Sequence, residues 1–235
     1  MENYEQFLKR TGEFEQPVFT LPNEYFSVNP ALRYKVDIFN KFRPFFGDTV
    51  IFELSEKDRT QIGGFVDALY KEAGDCFAER LRNDNLHITL HDLSNSNNVS
   101  EIGEDMFRNE IIMLKYVRSG KLLKNTIRFE SNYLLNMVGV SMVLALKPKT
   151  REDYEKLISL YGIVDCVRAL PYPLTPHITL GYFKYEGFSA DKCERLCRIV
   201  NRLNKTKLDI EVTTDELYYE KFTDMNNYYK IYPLT

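Results

Sequence analysis

The tetrapeptide His-Ile-Thr-Leu occurs twice, at His87 to Leu90 and at His177 to Leu180, and the two copies hold two of the three histidines in the chain. Each copy lies in a run where aliphatic and β-branched residues alternate with polar ones and turn formers flank the run, the pattern of a half-buried β-strand. Side chains on a strand alternate between two faces. His87, Thr89 and His91 therefore share one face against Leu86, Ile88 and Leu90, while His177 and Thr179 oppose Ile178 and Leu180. The apolar face is the one a core buries, so imidazole and hydroxyl are left together on the open face. One His-x-Thr alone is an ordinary half-exposed strand. Two identical words built on such scarce histidines argue for a shared purpose.

The surroundings of the two words also repeat. Val50-Ile-Phe-Glu-Leu54 aligns with Met142-Val-Leu-Ala-Leu146 at an offset of 92, and His87 aligns with His177 at an offset of 90. Each half reads as strand, helix, His-x-Thr strand, helix, strand. Ser55 caps a helix with a buried stripe at Ile62, Phe65, Val66, Leu69 and Tyr70 that ends near Gly74. A second short helix is expected over Cys76 to Leu81. A polar loop from Ser94 to Ser100 precedes a helix from about Glu101 to Val117, closed by Gly120 with Lys115, Arg118 and Lys121 near its negative end, and then a strand at Thr126 to Asn132. In the second half, Thr150 caps a helix that Gly162 ends, and the turn Pro171-Tyr-Pro-Leu-Thr-Pro176 leads into His177. A helix from Ser189 to about Asn204 and strands near Leu208 to Tyr219 and Tyr228 to Tyr232 complete the chain. The fold expected is α+β and bilobal, with antiparallel sheets lining a central cleft and helices on the outer faces. Residues 49–235 form one bilobal domain whose lobes share the repeat 50–132 and 140–219.

Residues 1–48 stand outside the repeat. They hold four prolines and many aromatics, which reads as an extended arm with one short helix at its start, packed on the body. From Arg33 to Arg43 the arm interleaves Arg33, Lys35, Lys41 and Arg43 with Tyr34, Phe39 and Phe42. That pattern suits bases and phosphates, or simply a snorkelling surface arm, the simpler of the two readings.

Composition narrows the partners. With 44% hydrophobic and 28% charged residues the chain is globular, and a net charge of −3 without a long basic run disfavours a long nucleic-acid duplex. A small anionic ligand or a short strand end fits better. No window approaches the length of a membrane span, no signal peptide opens the chain, and Cys76, Cys166, Cys193 and Cys197 lack C-x-x-C spacing. Membrane insertion and secretion are disfavoured, which points to the cytoplasm.

Two histidines facing one another across a cleft suit proton transfer in both directions, since a free imidazole titrates near ~6.5. One removes a proton from an attacking oxygen and the other supplies one to a leaving oxygen. Displacement at phosphorus runs in line, so a twofold pair straddles it, with Thr89 and Thr179 donating to the non-bridging oxygens. No metal or cofactor is required. A zinc site lacks a third and fourth ligand, His91 being the one other histidine and Asp92 falling on the opposite face by parity. Nucleophile-elbow, P-loop and dinucleotide fingerprints are absent.

These residues resemble the two motifs of the 2H phosphoesterases, the superfamily of LigT-like 2′-5′ RNA ligases and cyclic nucleotide phosphodiesterases. The likeness covers about Val50 to Tyr232 and is closest at Pro176-His-Ile-Thr-Leu-Gly-Tyr182. It implies metal-independent opening of a 2′,3′-cyclic phosphate, or of a related cyclic or 2′-5′ phosphodiester, on a nucleotide or short RNA end. Carried over by position, His87 and His177 are the general acid/base pair and Thr89 and Thr179 bind phosphate. His91 departs from the pattern and reads as a substrate contact or a group at the cleft rim. Phe183 and Tyr185 continue the cleft parity, to stack a base or to pack at the core or edge. The alternatives are RNA ligation on the same fold, a non-catalytic sensor of cyclic nucleotides or RNA ends, and a protein-interaction role for the arm.

Overall fold

Alternating strands and amphipathic helices fold as two four-stranded antiparallel sheets in the computed structural model, which describes residues 2–120 and 124–235. The elements are α1 (Tyr4–Gly12), β1 (Phe46–Glu53), α2 (Glu56–Ala73), β2 (His87–Ser96), α3 (Val99–Arg118), β3 (Thr126–Met137), β4 (Ser141–Pro148), α4 (Arg151–Asp165), β5 (His177–Tyr182), α5 (Ala190–Leu203), β6 (Asp209–Thr213), β7 (Leu217–Asp224) and β8 (Asn227–Pro233). The first sheet runs β2-β1-β7-β8 and the second β5-β4-β3-β6. β2 and β5, the strands that open on His87 and His177, are both edge strands. They lie next to one another, with Cα atoms within 8 Å.

Each half lends a strand to the other sheet. β3 follows α3 in the first repeat but pairs with β4 in the second sheet, and β7, which opens at the end of the second half, returns to pair with β1. The strand expected from Leu208 to Tyr219 is accordingly broken. A 3₁₀ turn at Thr214–Glu216 separates β6 from β7, held by the Glu216 carboxylate accepting the Thr213 N–H at 3.1 Å, and it moves the chain from one sheet to the other. Three further differences have local causes. No helix forms over Cys76 to Leu81, because past the 3₁₀ turn Gly74–Cys76 this backbone joins the end of β5: Ala78 N–H donates to Tyr182 O at 2.9 Å and Phe77 bridges Phe183. β2 runs on through Ser96, shortening the polar loop. α4 continues through Gly162 to Asp165, since one interior glycine costs a helix only about 1 kcal/mol. Lys121 lies outside the described residues.

Caps match the residues that open the helices. Asn3 and Gln6 form a reciprocal capping box on α1, Ser55 accepts from Asp58 N–H at 3.1 Å on α2, and Thr150 accepts from Asp153 N–H at 3.1 Å on α4. The arm then docks by its aromatics. Phe7 packs on Tyr154 of α4 with ring centroids 4.9 Å apart, Phe19 exchanges two hydrogen bonds with the Asn201 side chain, and Phe26 bridges Phe188. Gly187 sits at that crossing with φ +80°, where a Cβ would lie 2.1 Å from Phe26 O. Only glycine fits there.

Under α3, the fully buried Asp48 of β1 accepts from Ser94 N–H at 2.8 Å, Asn109 Nδ2 at 3.0 Å and Tyr219 O–H at 2.9 Å. Burial pushes its pKa up and these donors oppose the push. They pin α3 to the first sheet. Asn109→Ala leaves the carboxylate short of a donor in a place water does not reach. The expected cost is roughly 2–3 kcal/mol, read as a lower urea midpoint with unchanged slope.

Candidate active site

His87 and His177 occupy equivalent places in their sheets. His87 pairs with Glu53 and Thr89 with Ile51 on β1, while His177 pairs with Ala145 and Thr179 with Val143 on β4. All four motif side chains are half-buried, and the residues between and after them, Ile88, Leu90, Ile178 and Leu180, are buried. Among the described residues, no side chain or backbone group engages the hydroxyl of Thr89 or Thr179. They are free to meet a ligand.

Just past each motif the pairing slips by one residue. Ile51 faces Thr89 but Val50 faces His91, which leaves Leu90 as a bulge; Val143 faces Thr179 but Met142 faces Gly181, which leaves Leu180 as a bulge. A bulge resets side-chain parity. The alternation that held through Thr89 and Thr179 therefore fails beyond them, and it fails in the same way in both sheets.

His91 is consequently not on the cleft face. It is buried, with its ring 4.8 Å from that of Tyr161, Nε2 at 3.1 Å from the Asp165 carboxylate and Nδ1 on the backbone carbonyl of Asp92. Both nitrogens are taken by the protein, so His91 has none for a substrate. Phe183 is likewise core: it is fully buried among Phe26, Phe77 and Phe188, at ring distances of 5.1, 5.8 and 5.8 Å. Tyr185 lies beyond β5, where its N–H donates to Asn40 Oδ1 at 2.8 Å and its ring carries the Arg33 guanidinium at 5.1 Å, so the arm occupies it. The same slip brings Asp92 toward the histidines. Its repeat partner, ninety positions on, is Tyr182.

Each histidine is oriented by its own chain. His87 Nδ1–H donates to Asn85 O at 2.7 Å and His177 Nδ1–H to Thr175 O at 2.8 Å. A carbonyl only accepts, so Nδ1 carries the hydrogen and Nε2 is the nitrogen that exchanges protons. Burial pushes both imidazole pKa values below the ordinary histidine value; the carbonyl bonds and the Asp92 charge oppose it. The His177 charge lowers His87 further, and Lys35 of the arm lowers His177. The ring of Tyr228 stands 5.0 Å from that of His87, its hydroxyl held neutral by burial and by nearby Tyr182 and Asp92. Burial and then Asp92 push the Tyr172 hydroxyl up to about 12. Among the described residues, no group of three His, Cys, Asp or Glu side chains is placed to hold a metal ion.

Sequence reasoning missed Asp92, Tyr172, Tyr182, Tyr228 and Lys35. Tyr182 was present in the resembling stretch, and Lys35 in the basic and aromatic segment of the arm. Asp92 carried no signal, because strand parity assigned it to the wrong face.

No protein-family model and no curated protein matches the chain. Among solved structures it is similar to the conserved protein of unknown function ATU0111 from Agrobacterium tumefaciens str. C58, with a TM-score of 0.68 and 16% identity over 89% of this chain and 94% of that one. This likeness shows the fold. E. coli LigT in apo form, over 80% of this chain and 95% of its own, reaches a TM-score of 0.43 at 16% identity. TT0787 of Thermus thermophilus, over 79% and 95%, reaches 0.47 at 13%. At those scores neither bears on function. No described helix is long and apolar enough to cross a membrane.

Phe183→Ala opens a core cavity, so it should cost about 3–5 kcal/mol in urea denaturation. The histidines make a second expectation. Because their folded pKa values lie below the unfolded ~6.5, the unfolded chain binds more protons between the two. Their contribution to stability is complete above ~6.5 and is lost as pH falls through the folded values. The double variant His87→Gln, His177→Gln should show a flatter fall in urea midpoint between pH 7.5 and pH 5 than the wild type, and an equal fall in both proteins would refute the assignment.

Proposed function

We propose that the chain is a 2H phosphoesterase, a metal-independent phosphodiesterase that opens a 2′,3′-cyclic phosphate or a related cyclic or 2′-5′ phosphodiester on a nucleotide or short RNA end. The observation that carries this reading is the twofold match of His87 with Thr89 and His177 with Thr179 on adjacent edge strands, with the same bulge after each pair and the same carbonyl on each Nδ1. Nothing in composition or charge alone would single it out.

Nε2 of the neutral imidazole takes a proton from water as the water oxygen bonds to phosphorus in line. The bond from phosphorus to the ribose oxygen breaks on the far side, and the protonated imidazole gives that oxygen its proton. The product is a phosphomonoester and a free hydroxyl, and the proton on the pair has changed rings. Thr89 and Thr179 donate to the non-bridging oxygens, where charge accumulates. Asp92 favours whichever ring is protonated. The neutral tyrosines Tyr172 and Tyr228 add hydroxyl donors at the wall. The cytoplasm is the compartment proposed, in keeping with free thiols at all four cysteines.

The test is hydrolysis, in EDTA, of 2′,3′-cyclic mononucleotides and of a short RNA ending in a 2′,3′-cyclic phosphate. His87→Ala and His177→Ala should each lower kcat by about 10²–10⁴-fold with the fold intact. Wild-type kcat/KM should be bell-shaped, because one ring must be charged and the other neutral. With both pKa values depressed, its alkaline limb should fall below ~6.5. Absence of turnover on the whole panel by folded protein, or full activity in either histidine variant, would sink the proposal.

A further inference from the structure

We infer that Lys35, supplied by the N-terminal arm, is the phosphate-binding cation of the cleft. This rests on the reading of the cleft as a phosphodiester site and adds a residue from outside the repeated lobes.

The backbone at Lys35 is fixed on both sides. A 3₁₀ turn, Pro30–Tyr34, delivers it, with Asn29 accepting from Ala31 N–H at 2.9 Å. A small hairpin follows: Arg43 N–H donates to Lys35 O at 2.9 Å, Val36 bridges Phe42, and the Asp37 carboxylate accepts from Phe39 and Lys41 N–H at 2.8 and 2.9 Å. Its turn contains Asn40 at φ 61°, a conformation asparagine tolerates. Asn40 ties the hairpin to both lobes, since Glu79 N–H donates to its carbonyl at 2.8 Å and Tyr185 N–H to its side chain at 2.8 Å. Lys35 is thus presented by an ordered segment, not by a loose tail.

The ammonium lies over two rings, 5.2 Å from the centroid of Phe45 and 5.4 Å from that of Tyr182. Tyr182 occupies in the second lobe the place that Asp92 occupies in the first, just past the bulge at Leu180. The positive charge is therefore held over Tyr182, two residues past the second histidine motif, and its lowering of His177 agrees with that placement. Lys41 of the same hairpin has a carboxylate at 3.3 Å, from Glu79; among the described residues Lys35 Nζ has none within 4.0 Å. Ring faces steady a cation without neutralising it, and they leave N–H bonds for an anion.

The proposed chemistry has a use for this charge. A phosphodiester is an anion, and charge builds on its non-bridging oxygens in the transition state. The protonated imidazole gives up its charge to the leaving oxygen during the step, the threonines are neutral, and Asp92 repels. Lys35 takes no part in proton transfer, so its charge persists throughout.

The experiment uses the full chain with Lys35→Met, close in length and uncharged, and Lys35→Arg. The probe is inorganic phosphate, with binding followed by calorimetry and the histidine ring protons by NMR. The charged groups acting on His177 are Asp92 and Lys35, and His177 in turn acts on His87. Only Lys35 is altered, and the spectra report whether the fold is kept. Lys35→Met should weaken phosphate ten-fold or more and raise the His177 pKa, while Lys35→Arg should restore most of the affinity. On a turned-over cyclic phosphate, Lys35→Met should lower kcat/KM at least ten-fold and move the alkaline limb up. Phosphate affinity and His177 titration unchanged in Lys35→Met would overturn the inference, as would failure of the wild type to bind phosphate at millimolar concentration. If phosphate binding depends on Lys35 but no cyclic phosphate is opened, the inference stands and the phosphodiesterase reading fails.

Discussion

Two one-residue slips in hydrogen-bond register, at Leu90 and Leu180, decide what lines the cleft. Without them the strands would keep period two, His91 would stand beside Thr89, and Asp92 and Tyr182 would point into the packed side. With them, each strand presents a histidine, a threonine two residues on, and then a changed phase. The bulges also interrupt regular pairing on two edge strands that lie side by side, where an unbroken edge would invite further strand pairing. One local irregularity thus shapes the site and limits a structural liability of placing two edges together.

The histidines owe their chemistry to the same placement. Lying at the start of an edge strand, each is far enough into the protein to lose solvent, which depresses its pKa, yet its own chain supplies a carbonyl two residues back that fixes Nδ1–H. Desolvation and orientation therefore come from the backbone and need no dedicated partner carboxylate. Asp92 acts on both rings at once, and the charge of one ring acts on the other. Proton affinities in such a site belong to the pair.

How far the amino-acid sequence could be read follows from these physics. His87, Thr89, His177 and Thr179 were readable because period two holds from the motif to the bulge and because the offset of 90 recurs. His91 and Asp92 fall on the wrong face by parity because alternation contains no mark of a bulge, and Phe183 takes the core reading of its two; what decides all three is the register against β1 and β4, a non-local pairing. The break at Thr214–Glu216 was hidden for a related reason, since β-propensity continues across a turn that changes sheets. Gly162 looked like a stop because interior glycine is uncommon in helices, but the packing of Tyr161 and Val164 on either side carries α4 onward. The aromatic arm has no period at all. Its basic and aromatic mixture was visible, whereas the hairpin that aims Lys35 depends on Asn40 meeting Glu79 and Tyr185, far away in sequence.

The exchange of strands explains how a site shared between two lobes stays in register. β3 and β7 each leave the half in which they arise, so the sheets are linked through the chain at both ends of the repeat. Matching contacts cross the boundary. Tyr70 of α2 packs at Gly181 of β5, where an added Cβ would lie 2.9 Å from its hydroxyl, and Tyr161 of α4 packs on His91 of β2, ninety positions before Gly181. Glycine at one position and histidine at the other fill the same slot against the same residue type, the first by making room and the second by filling it with a ring. The twofold symmetry is therefore kept at the motifs and is broken just past them. That asymmetry leaves Asp92 on one wall and Tyr182, with the arm's ammonium above it, on the other. On the proposed phosphodiesterase reading, a cleft with equal histidines but unequal walls would bind an asymmetric phosphodiester in one orientation, and two chemically similar imidazoles would then take different roles in a given step.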